Sequence, residues 1–86
     1  MKKNEIWQAV EMELRKAKKK FPKWPVHPAA KAGIVMEESG ELMHACLQFK
    51  YEKNKKGLPA DEHKQRMKEE AVQVAVTAIR FLENLK

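Results

Sequence analysis

The chain predicts an all-α fold, a single domain built as an antiparallel bundle of three main helices, with a core thin enough to call for a larger assembly. Three observations lead there. Apolar residues recur at helical period through three segments and nowhere alternate as they do in a strand. Pro and Gly gather in two short stretches between those segments. The whole chain, residues 1–86, is room for one domain only, and a domain this short buries little of its surface alone.

The first helix is predicted over residues 4–20. Ile6, Val10, Leu14, Ala17 and Phe21 form one stripe, with Trp7 a further core candidate, Asn4 is the expected N-cap, and Pro22 ends the segment. Residues 22–28 hold Pro22, Pro25 and Pro28, each forcing its predecessor away from the α region, so a rigid extended connector follows. Pro28 suits the first turn of a second helix, predicted over 28–53, because its missing N–H would have no intrahelical partner there. The run from Lys53 to Pro59 ends that helix, with Gly57 as the expected C-cap, and a third helix is predicted over 60–85.

Composition narrows the function classes. A hydrophobic fraction of 43% with three Gly and four Pro excludes collagen-like, low-complexity and fully disordered chains. The lone Cys46, placed on an apolar arc, reads as an inert buried thiol with no intrachain disulfide to make. No run approaches the roughly 18 apolar residues of a membrane span, and no signal-peptide core follows the start, so no membrane partner and a cytoplasmic location are expected. The net charge of +6 is local: residues 1–31 carry nine Lys/Arg against three acids, and the remainder balances. That basic third could attract a polyphosphate, an anionic surface or a nucleic acid. No helix-turn-helix or aromatic RNA-binding motif accompanies it, so a nucleic-acid partner is the less favoured reading.

On a helical wheel, Ile34, Val35, Leu42, Ala45, Cys46 and Phe49 define the core-facing arc of the second helix. Glu38 falls inside that arc, Glu41 on its edge and Glu37 a little further round. An unpaired carboxylate taken out of water is costly, and neighbouring carboxylates repel, so a cation must compensate: a Lys or Arg from another helix, or a hard divalent ion. On the third helix Glu70 borders the apolar face, while Glu69, Gln73, Thr77 and Arg80 form a polar strip beside it. Antiparallel packing of helices two and three would let Glu38 and Glu41 meet Glu70 and Gln73. Such an oxygen donor set, without a Cys/His cluster, suits Mg²⁺ or Mn²⁺. Gly33 and Gly40, seven residues apart on one face, suggest close approach of a backbone or ligand. Glu41-x-x-His44 formally matches half of a di-iron motif, but no second copy accompanies it.

Met36-Glu37-Glu38-Ser39-Gly40-Glu41-Leu42, followed by Lys68-Glu69-Glu70-Ala71-Val72-Gln73-Val74, resembles the MazG-like all-α nucleotide pyrophosphohydrolases, over about residues 24 to 83. Their pattern is Glu-Glu-x-x-Glu on one helix and Glu-x-x-Asp on the next. The resemblance implies a helical bundle completed as a homodimer or homotetramer. It also implies Mg²⁺- or Mn²⁺-dependent hydrolysis of a nucleoside triphosphate to the monophosphate and pyrophosphate. By position, Glu38, Glu41 and Glu70 would be metal ligands and Glu37 a further ligand or the base that orients the attacking water. Gln73 stands where the family has Asp; its amide oxygen can still ligate, with one negative charge fewer.

Around this core of acids, Trp24 could stack on a base and His27 bond to its edge, although Trp24 could equally pack against the bundle. Some of Lys16, Lys19, Lys20, Lys23 and Lys31 could meet the triphosphate. Arg80 could contact phosphate or pair with Glu69 or Glu83. Two alternatives stand beside the hydrolase: a nucleotide-binding relative of weak activity, and a small basic nucleic-acid-binding or regulatory protein.

Overall fold

A computed structural model describes residues 1–52 and 59–85, and among these every regular element is helical. Helix α1 spans Lys3–Lys20, α2 spans Pro28–Glu52 and α3 spans Ala60–Glu83. The strand-free, three-helix architecture is the one that the periodicity predicts. The predicted C-cap Gly57 and the run before Pro59 lie outside the described residues.

Local chemistry sets the ends. Helix α1 begins one residue earlier than predicted: Lys2 is its N-cap residue, in extended conformation and with no side-chain cap, and Asn4 is already inside the helix. Lys18, Lys19 and Lys20 occupy its last turn, where positive charge complements the helix dipole. At the start of α2, Nδ1 of His27 accepts the backbone N–H of Ala29 at 3.1 Å, so the imidazole satisfies one of the donors that a helix N-terminus leaves free. Asp61 and Glu62 sit favourably in the first turn of α3, which follows Pro59 and closes at Asn84.

The helices run up, down and up. Helix α2 packs antiparallel along α3, whereas α1 lies parallel to α3 on another side and does not pack on α2. Ladders of contacts fix these directions. Glu13, Ala17 and Lys18 of α1 bond to Gln73, Arg80 and Glu83 of α3 in rising order. Lys31 near the start of α2 donates to the carbonyl of Asn84 at the end of α3, and Phe49 near the end of α2 meets His63 near the start of α3, ring centres 5.9 Å apart and edge-on.

The buried apolar core is small: Val10, Ala45 and Val76. Lys31, His63, Thr77 and Arg80 are buried with them. Many large apolar side chains face outward, among them Trp7, Met36, Met43, Leu47 and Leu82. Trp7 is therefore not a core residue, and Cys46 is only half-buried. The stripe of α1 is buried at its middle, at Val10, and exposed at its ends, Ile6 and Phe21, because α1 has only α3 to lie on. The accessible surface of 6671 Å² exceeds the about 5,200 Å² of a compact monomer of this mass. At Gly33 and Gly40 no atom beyond the local helix backbone lies within 4 Å of where a Cβ would stand, so none of the described residues makes the close approach their spacing suggests. No helix among the described residues is long and apolar enough to cross a membrane.

Candidate metal centre

Three carboxylates converge where α2 crosses the middle of α3. Glu38 and Glu41 are one turn apart on α2, Glu70 lies opposite on α3, and each offers an oxygen within 4.8 Å of the others. Glu38 and Glu70 are half-buried and Glu41 is exposed. Antiparallel packing of two helices whose acidic positions border their apolar faces is what brings them together.

The electrostatics follow from that placement. Burial, then the Glu41 carboxylate, then Glu70 and Glu37 push the Glu38 carboxyl above the ordinary glutamate value of 4.5. Burial and Glu41 push Glu70 up in the same way, against a smaller opposing pull from Arg66. Oε2 of Glu70 is buried without a hydrogen-bond partner among the described residues. No described Lys or Arg forms an ion pair with the three acids. Among the described residues, the opposing charge that the sequence demands is limited to the weaker pull of Arg66, with no ion pair formed. A hard divalent cation fits this donor set, which is all oxygen, carries negative charge and is open to water at Glu41.

The remaining residues singled out in the sequence fall in several places. Glu37 is exposed on α2 beside the cluster and is outside the convergent set. Gln73 is half-buried one turn beyond Glu70, and its Nε2 donates to Oε2 of Glu13 on α1 at 3.0 Å. Trp24 lies half-buried with the Arg80 guanidinium 4.6 Å above its ring, so one face of the indole is taken by packing; its Nε1 is buried and unpartnered among the described residues.

Arg80 and Lys31 do not stand ready for phosphate. Arg80 is 4% exposed and donates to the carbonyls of Ala17 and Phe21, at 3.3 and 2.6 Å, where the end of α1 has carbonyls to spare. It pairs with neither Glu69 nor Glu83; Glu83 is taken by Lys18 at 2.9 Å. Lys31 is 6% exposed and bonded to Asn84. Both cations are committed to helix ends, a use that needs the tertiary packing to be seen. His27 is exposed, with Nδ1 engaged at the α2 N-terminus. Lys16 meets Glu13 at 3.4 Å and Lys20 lies 5.4 Å from the Phe21 ring centre, while Lys19 and Lys23 are exposed.

Beside the carboxylates lies a cavity of about 280 Å³, bordered by Trp24, Glu38, Gln73, Thr77 and Arg80. It connects the acidic cluster with the proline-rich connector. Comparisons with protein-family models, with curated proteins and with solved structures give no match to this chain.

Proposed function

We propose that this chain is a Mg²⁺- or Mn²⁺-dependent nucleoside triphosphate pyrophosphohydrolase that acts as a homodimer or homotetramer. One observation carries the reading: Glu38, Glu41 and Glu70 hold oxygens within 4.8 Å of one another, and no described Lys or Arg forms an ion pair with them. An acidic cluster held together by packing, partly withdrawn from water and without an ion pair among the described residues, has a use for a divalent ion.

Glu38, Glu41 and Glu70 would hold the ion, which when bound neutralises phosphate charge and lowers the pKa of a water. Glu37, exposed on α2, would accept a proton from that water. An aromatic base would enter the cavity beside Glu38, which Trp24 and Thr77 border; the Thr77 hydroxyl donates its own proton to the Val74 carbonyl at 3.0 Å. Of Lys16, Lys19, Lys20, Lys23 and Lys31, the exposed Lys19 and Lys23 are the two with no contact to another described group. The outward Met36, Met43 and Leu47 of α2 support assembly, since a stripe of that kind is otherwise left in water.

The test is pyrophosphate release from a panel of ribo- and deoxyribonucleoside triphosphates with Mg²⁺ or Mn²⁺, beside an EDTA control and Glu38→Gln. Metal-dependent release lost in the variant is expected. Full activity in EDTA, or in Glu38→Gln, would overturn the assignment.

A further inference from the structure

Gln73 occupies a ridge on α3. On one side is the cavity it shares with Glu38; on the other is an open groove of about 550 Å³ between α1 and α3, which Glu13 borders. The two ends of its amide are chemically opposite, a nitrogen that only donates and an oxygen that only accepts. A carboxylate only accepts, so the 3.0 Å bond from Nε2 to Oε2 of Glu13 commits the nitrogen to the α1 side. The oxygen accepts from no described residue. Lys16 meets Glu13 at its other oxygen, Oε1, at 3.4 Å, so the two partners of Glu13 do not compete for one atom.

We infer that Glu13 is a positioning residue for the acidic centre: it turns Gln73 so that Oε1, not the amide nitrogen, faces the cation held by Glu38, Glu41 and Glu70. The inference rests on the reading of those three carboxylates as a divalent-cation site. An amide N–H₂ aimed at a cation is repulsive, and an unanchored amide samples both orientations. A carboxylate behind the nitrogen fixes the orientation and polarises the carbonyl, so a neutral ligand is made a better one. Helix α1, which contributes none of the three convergent acids, thereby becomes part of the centre.

The experiment is Mn²⁺ titrated into the full chain, with free ion followed by electron paramagnetic resonance. Glu13→Ala is expected to weaken Mn²⁺ binding about tenfold, the scale of losing a residue that orients a ligand. Glu13→Gln, whose amide oxygen still accepts from Nε2, restores binding to near the parent level, and this rescue separates orientation from a general effect on α1. Gln73→Ala weakens binding to a similar degree, and adding Glu13→Ala to it costs nothing further, because Glu13 acts only through Gln73. Parent-like binding by Glu13→Ala, or losses that add in the double variant, would overturn the role of Glu13. Glu38→Gln is the control on the underlying reading. If the parent binds no Mn²⁺, or Glu38→Gln binds as well as the parent, the cation site itself fails; if Glu38→Gln loses the ion while Glu13→Ala keeps it, only the positioning role fails.

Discussion

Charge is buried between helices in two regions of this molecule, and the two are resolved in opposite ways. Where α3 ends, Arg80 and Lys31 are almost wholly enclosed, yet each has carbonyl oxygens to bond: Ala17 and Phe21 for the one, Asn84 for the other. At the middle of α3, Glu38, Glu41 and Glu70 crowd together with no ion pair among the described residues, and two of them are held above the ordinary carboxylate range. A buried cation satisfied by helix-end carbonyls is architecture, because it ties one helix end to another element: the Ala17 carbonyl also accepts the Phe21 N–H at 2.8 Å, so what Arg80 adds is the tie to α3. Converging acids without an ion pair repel one another, and under the proposed reading a bound cation would relieve that repulsion.

That contrast can be broken from either side. The largest expected effect is on catalysis: Glu38→Gln and Glu70→Gln should each lower pyrophosphate release by about a hundredfold or more, with helix content by circular dichroism unchanged. Either variant retaining parent turnover would place the acids with the architecture. Next comes Arg80→Ala, expected to cost about 2–4 kcal/mol in urea unfolding, since the carbonyls of Ala17 and Phe21 lose a charged donor and Trp24 loses its stacked neighbour. Arg80→Lys should recover only part, because an ammonium lacks the planar fork that reaches two carbonyls. A neutral Arg80→Ala would mean that the end of α1 is held by other means.

A smaller effect sharpens the electrostatic half of the comparison. Glu70 has a folded pKa raised above 4.5, so the native state keeps its proton longer than the unfolded chain does. Its contribution to stability is present below the ordinary glutamate range and is lost as pH rises through the raised value. In EDTA, Glu70→Gln should therefore raise the melting temperature relative to the parent more at pH 7.5 than at pH 4.5, and Mg²⁺ should remove the advantage. An advantage that grows on acidification would contradict the burial and repulsion assigned to it. The smallest effect belongs to the exposed pair Lys18–Glu83, 2.9 Å apart, where Lys18→Ala should cost less than about 0.5 kcal/mol and less still in high salt.

How much of this could be read from the residues depends on the range over which each feature is determined. Helical period and the prolines are local, and they place the three helices to within a residue or two. The meeting of Glu38, Glu41 and Glu70 needs only one further step, the antiparallel packing of two helices whose wheels are already known. Arg80, Lys31, Gln73 and Glu13 are different. Their partners lie on α1 or at the far end of the hairpin, and which carbonyl or carboxylate they reach depends on how the connector lays α1 across α3. A wheel for α3 puts Gln73 and Arg80 on one polar strip, but it cannot say that the strip faces α1 instead of solvent. Glu13 gives no sign of itself, standing among the basic residues as one more helix-surface acid. His63, buried against Phe49 with both ring nitrogens unpartnered among the described residues, was equally silent, because its burial comes from the partner helix and not from its own neighbours.

The attachment of α1 to α3 alone has a consequence in time as well as in space. A helix docked on a single neighbour through a part-buried surface, and joined to the rest by a proline-rich connector, is expected to open as a unit of its own while the α2–α3 hairpin stays folded. Its amide protons should exchange with solvent ahead of those at the centre of α3, at a rate set by local opening. Each such opening would take Glu13 with it and release the Gln73 amide, so exchange in α1 would become a clock for how often the contact proposed to orient that amide is lost.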